Sequence, residues 1–231
     1  MHIEPGVVSG AKMFLSYGTG VVVVGTGLKL AWDNIKENGL VSFVLKSVIA
    51  TAIVFSCFEI LPHYPIGVSE VHLILGTTIF LMFGIAPAMM GLAIGLLVQG
   101  VFFAPFDLPQ YGINVTTLLA SMLALNIIAR KVIPQKTAYK DITYSQLLKL
   151  SIVWEGAIVS WVAFWAFYGQ GFGAENIHNV LTFGAAYMSV VIIEPLVDMA
   201  VLALVKAYYK SNECTMLFDK RVNNCEKVSA L

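Results

Sequence analysis

Apolar positions in this chain gather into long runs instead of recurring at the spacing of a half-buried surface helix. Seven runs stand out: Ala11–Trp32, Leu40–Leu61, His72–Phe83, Ala86–Ala104, Asn114–Ile133, Gln146–Phe167 and Ile177–Tyr208. A helix needs about 20 mostly apolar residues to cross the hydrocarbon layer. Stretches such as Ala86–Val98 and Ala157–Phe167, the latter broken only by Ser160, lack the two-residue alternation of barrel strands. Without water in the bilayer core, only helices and closed barrels satisfy their own backbone. The pattern therefore predicts an all-α, polytopic transmembrane bundle of about seven helices. The third run is too short to cross upright, so it is either joined to the fourth by a tight turn at Gly84–Pro87 or re-entrant. The last run exceeds the hydrocarbon thickness and must tilt or project into the cytoplasm.

Composition points the same way. Of 231 residues, 58% are apolar and 12% charged, with a mean hydropathy of +0.80; a soluble domain carries roughly 25% charged residues. Fourteen basic side chains balance fourteen acidic ones, so net charge names no partner, nucleic acid included. Their placement says more. Lys29, Lys36 and Lys46 flank the first connection, Arg130, Lys131, Lys136, Lys140 and Lys149 the fifth, and Lys206, Lys210, Lys220, Arg221 and Lys227 fill the tail. The second, fourth and sixth connections carry none, and Lys12 alone breaks the alternation. The positive-inside rule then puts the N-terminus outside and the C-terminus in the cytoplasm, in the cell's inner (plasma) membrane. Cys57, Cys214 and Cys225 have no metal or redox spacing. Met1–Ser9 has Glu4 and Pro5, no basic residue and no cleavage site after it, so Met1 is expected to stay attached.

All four histidines, His2, His63, His72 and His178, fall at outward ends or loops of that topology, as do Glu4, Glu70, Asp107 and Glu175. Histidine is the commonest protein metal ligand. The start, Met1-His2-Ile3-Glu4-Pro5-Gly6, can offer three nitrogens from two residues: the Met1 amine, the deprotonated His2 amide and His2 Nδ1. They close a five- and a six-membered ring in one plane, which suits Ni(II) or Cu(II) and, somewhat less, Co(II). His72, read as opening the third helix after the Pro- and Gly-containing loop Leu61–Val71, can supply a fourth nitrogen, with Ser69 or Glu70 fixing its ring. The plainer reading of His72 is a helix-entry residue bonded to water. His63, between two prolines, reads as an interfacial loop residue before it reads as a ligand, and His178 has no second donor near it in sequence.

These residues resemble a known family. Met1-His2-Ile3 with an acidic residue, Pro and Gly is similar to the opening of the CbiM/NikM family, substrate-binding membrane components of energy-coupling-factor ABC transporters for cobalt and nickel. Gly67-Val68-Ser69-Glu70-Val71-His72-Leu73 resembles that family's Gly-Thr-Ser-x-His-Leu loop with one extra residue before the histidine. Leu97–Phe103 and Tyr111–Val115 are similar to two further elements, and Glu194 to a glutamate of the last helix. The resemblance implies seven helices with the N-terminal segment inserted into the bundle, and Met1, His2 and His72 as ligands of a Co²⁺ or Ni²⁺ substrate. It also implies an energy-coupling transmembrane subunit, ATPase subunits and a small accessory membrane protein as partners. Residues 1–210 then form one substrate-binding transmembrane domain and 211–231 a short cytoplasmic tail. The chain itself has no G-x-x-x-x-G-K-[ST] phosphate loop and is expected not to be an enzyme.

Two matters stay open in the sequence. Glu155, Glu194 and Asp198 lie inside apolar runs, where each costs a few kcal/mol unless paired. They are either a polar route for an ion or, the favoured reading, carboxylates fastening helix to helix. Gly91 and Gly95 form a G-x-x-x-G that packs either within the chain or against another subunit. The competing functions are copper or other metal handling, a membrane redox or assembly subunit, and a structural subunit without ligand. Bis-histidine haem proteins place their ligands mid-span, where this chain has no histidine.

Overall fold

The computed structural model describes residues 2–134 and 137–208. Seven α-helices run through them: α1 (Met13–Asn38), α2 (Leu40–Phe55), α3 (Gly76–Phe83), α4 (Ile85–Phe102), α5 (Tyr111–Val132), α6 (Tyr144–Gln170) and α7 (Ala174–Tyr208). A single π-helical turn, Ser56–Ile60, extends α2, and a short hairpin of β1 (Tyr64–Ile66) and β2 (Ser69–Val71) follows it. Among the described residues, six helical segments are long and apolar enough to cross a membrane. The predicted cytoplasmic tail, 211–231, lies outside the described residues.

Close packing comes from small residues on the buried faces. Ser16, Gly20, Val23, Gly27 and Ala31 make the buried stripe of α1, and a Cβ at Gly20 would touch Gly112 of α5 at 3.5 Å. Gly91 and Gly95 of α4 lie against α2: added Cβ atoms would meet Ala50 Cβ at 2.5 Å and Val54 Cγ1 at 2.7 Å. That glycine pair thus packs within the chain. Val21, Val22, Val41, Val48, Ile192 and Leu204 point outward from their helices, as lipid-facing positions do.

The third run departs from expectation. His72 does not open a helix: residues 72–75 are neither helix nor strand, and α3 is only the eight residues Gly76–Phe83. Two features set this start. Residues 69–71 are committed to the hairpin, and Leu75 takes a left-handed conformation at φ 58°, which a branched side chain enters at a cost of about 1–2 kcal/mol. Non-helical backbone inside a membrane bundle is tolerated only where protein satisfies it. Glu194 of α7 does so, its carboxylate accepting from Ile74 N–H at 2.8 Å and Gly76 N–H at 3.2 Å, on either side of Leu75. Gly84 (φ 86°) then reverses the chain into α4, the tight turn expected there.

One end of the bundle collects the N-terminal segment, the hairpin, the turn Pro105–Gln110 and the α6–α7 connection. Lys12 Nζ donates to Gly169 O at 2.8 Å, and Gly67 and Gly169 have no room for a side chain because Asn179 and Val7 lie against them. All four histidines belong to this end. The other end holds the α1–α2 turn at Gly39 and the α5–α6 connection, where Gln146 Nε2 donates to Val132 O at 3.0 Å.

Candidate metal centre

The N-terminal segment enters the bundle as an extended strand. Ile3 is buried and forms an antiparallel bridge with Ser69, adding a third short strand beside β2. Glu4 N–H donates to Val68 O at 3.1 Å, and Glu70 N–H to His2 O at 3.0 Å. Ser69 Oγ–H donates to the same His2 carbonyl at 2.8 Å. From the other side, Ile3 N–H donates to Asn114 Oδ1 at 2.9 Å. His2 is therefore fixed by backbone bonds on the strand edge and by α5 beneath it.

This pinning brings His2 beside Glu70 and His72. The three offer one ligand atom each within 4.8 Å of one another. His2 Nδ1 lies 2.8 Å from Glu70 Oε2, and the His2 and His72 ring centroids are 5.6 Å apart. Strand alternation puts residues 70 and 72 on one side, so both reach toward His2. Phe58, on the π-helical turn, meets both imidazoles edge-on, at 5.4 and 4.8 Å between centroids. His72 Nδ1 lies 3.3 Å from Leu73 O.

Burial drives the His2 imidazole from 6.5 down to about 4, although Glu70 favours the charged ring. Burial, the largest single influence, raises the Glu70 carboxyl, but the hydrogen bond from His2 and the neighbouring positive charges together outweigh it and leave Glu70 below its ordinary value. Glu4 is raised by burial and by the charge of Glu70. At neutral pH the pair is then a neutral imidazole donating Nδ1–H to a carboxylate. His2 Nε2, buried, meets no hydrogen-bond partner among the described residues.

The expected site residues separate accordingly. His2 and His72 converge. Ser69 and Glu70 hold His2, not His72 as expected, because the N-terminal strand rather than the following helix pairs with β2. Met1 lies outside the described residues. His63 is half-buried, its Nδ1 3.1 Å from Leu61 O, and His178 is exposed on α7; neither joins the cluster. Sequence reasoning gave no role at this end of the bundle to Phe58 or Asn114. Asn114 sat in a stretch noted for its resemblance; Phe58 is one apolar residue in an apolar run and carried no signal.

Below the site, the intramembrane carboxylates fasten helices. Glu194 holds the non-helical segment after His72, and Asp198 accepts from Thr78 Oγ1 at 2.5 Å and from Ser151 Oγ at 2.6 Å, joining α3, α6 and α7. Glu155 is buried on α6.

At one end of a polytopic α-helical bundle, two imidazoles and a carboxylate lie close enough together to hold a metal ion. The chain matches the family model CbiM, the cobalt uptake substrate-specific transmembrane region, over residues 2–211, and it belongs to that family. It is a multi-pass membrane component of cobalt and transition-metal uptake, a transport protein and not a catalyst. Among solved structures it is similar to one described as a truncated transition metal transporter, with 18% identity over 90% of this chain and 97% of that one at a TM-score of 0.62. A second, described as a transition metal transporter, is 17% identical over 90% of this chain and 92% of that one at a TM-score of 0.59. At such identities these two bear on the fold alone. No curated protein matches the sequence.

Proposed function

We propose that this chain captures Co²⁺ or Ni²⁺ outside the cell with its own N-terminus: the Met1 amine, the His2 amide nitrogen and His2 Nδ1, completed by the His72 imidazole. The observation that carries this reading is the convergence of His2 and His72, distant in sequence and both buried, with ring centroids 5.6 Å apart. The cation takes the place of the proton that His2 Nδ1 shares with Glu70. Imidazole and amine nitrogens select late first-row divalent ions over magnesium or calcium. The basic connections set the N-terminus outside and the C-terminus in the cytoplasm.

Uptake needs a state of lower affinity that opens inward. Backbone bonds stitch the N-terminal strand to β2, so release asks that strand to part from the hairpin or the two to move together against α3. The energy comes from partners: an energy-coupling transmembrane subunit and ATPase subunits, with a small accessory membrane protein.

Calorimetric titration of the untagged protein with each ion tests the ligand set. His2→Ala and His72→Ala each weaken binding by at least about 3 kcal/mol, more than the 10–100-fold typical of groups that only orient a ligand. His63→Ala and His178→Ala change it far less. Loss of binding in His63→Ala with His72→Ala intact overturns the assignment.

A further inference from the structure

His72 stands between two anchors of different kinds. On its N-terminal side the β1–β2 hairpin ends at Val71. On its C-terminal side the anchor is Glu194 of α7, whose Oε2 accepts from Ile74 N–H at 2.8 Å and whose Oε1 accepts from Gly76 N–H at 3.2 Å. Residues 72–75 belong to neither helix nor strand, so no repeating backbone pattern sets their path. They include Leu75 at φ 58°, a left-handed conformation that a leucine does not favour unaided. Glu194 is fully buried, and this one segment engages both of its oxygens. Residue 76 also lies flat against α6, because a side chain there would run into the Trp154 ring. Phe58 meets the His72 imidazole edge-on at 4.8 Å between centroids, a contact with the ring and not with the backbone that carries it.

We propose that Glu194 is the positioning residue for His72, and that through it α7 sets the affinity of the metal site without touching the ion. This rests on the reading that His72 is a ligand. Ile74, the first residue that Glu194 holds, is two residues from His72. Two residues span at most about 7 Å of chain, so a displacement of the carboxylate reaches His72 with little slack. A binding constellation works when its groups are held within about 0.5 Å of their places. With residues 74–76 released, His72 departs from His2 by more than that. A carboxylate offers an acceptor to each of the two N–H groups, whereas the amide of Glu194→Gln offers one oxygen and aims its own N–H groups at the other.

The test titrates Co²⁺ into the full chain with its native N-terminus, at a temperature where each variant is folded. Glu194→Gln should weaken binding by about 10- to 100-fold, the range for groups that orient a ligand. X-ray absorption of the bound ion should count fewer imidazoles than in the native protein. Asp198→Asn, one turn further along α7, loosens Thr78 and Ser151 without touching residues 74–76; it should lower stability and leave affinity nearly unchanged. In His72→Ala, where the chelate of His2 still binds weakly, Glu194→Gln should cost no further affinity, because the two residues act as one unit. Glu194→Asp, which keeps the charge but draws the oxygens back, should behave as Glu194→Gln does and replaces it if that variant does not fold. Native affinity in both Glu194 variants overturns the proposal. So does an equal loss in Asp198→Asn, or a loss that persists undiminished in His72→Ala. Native affinity in His72→Ala itself would instead overturn the ligand reading on which the proposal rests.

Discussion

At the scale of the residue, His2 is governed by burial more than by its neighbours. An imidazole in water is half protonated near 6.5, and metal binding by such groups is expected to weaken below that pH. In the folded protein His2 stays neutral down to about 4, while the unfolded chain takes up its proton near 6.5. The unfolded state therefore binds more protons between those values, and stability falls as pH drops through that window and is complete above it. The gap corresponds to about 3 kcal/mol. Thermal unfolding of the metal-free protein at pH 7 and pH 4.5 should show a loss of this order, which His2→Gln largely removes; an equal loss in that variant contradicts the assignment. His2 was legible in the sequence because its meaning is local, two residues forming one chelate. Its partners were not. Phe58 meets the N-terminal segment only after α1 and α2 and Asn114 only after α4, and no local periodicity encodes that meeting.

At the scale of the element, the long helices were legible because a crossing helix is written as uninterrupted apolar sequence, and their predicted ends lie close to the observed ones except that α1 continues past Trp32 through the polar residues to Asn38. The third run shows where this fails. An apolar stretch reads alike whether it is buried helix or buried non-helical chain, so His72–Leu75 was assigned to a helix it does not join. What distinguishes the two is Glu194, more than a hundred residues later, which accepts the freed Ile74 and Gly76 N–H groups. Removing that carboxylate leaves two buried donors unsatisfied at about 1–3 kcal/mol each. Glu194→Ala should therefore lower stability by about 3 kcal/mol or more, with Glu194→Gln intermediate because one acceptor oxygen remains. Thermal unfolding in detergent checks this; a Glu194→Ala protein as stable as the parent would mean that the carboxylate does not hold the non-helical segment.

At the scale of the whole molecule, the histidines that the sequence places on one side share one end of the bundle, where the structure adds a hairpin and a bridged N-terminal segment that the sequence did not show. With Cys57, Cys214 and Cys225 replaced by serine, single cysteines at Tyr64 and Phe172, which are 65% and 75% exposed, should react with an impermeant reagent from outside. One at Lys36 should react only after the membrane is opened; labelling of all three from the same side contradicts the orientation. The central claim is that the free N-terminus is part of the site. It is tested most directly by titrating Co²⁺ and Ni²⁺ into a protein carrying one extra alanine before Met1. The extension displaces the amine from its five-membered ring and leaves His2 a single nitrogen. Affinity should drop by at least about 100-fold, or about 3 kcal/mol, with the unfolding temperature of the metal-free protein unchanged. Binding as tight as that of the native chain would contradict the account.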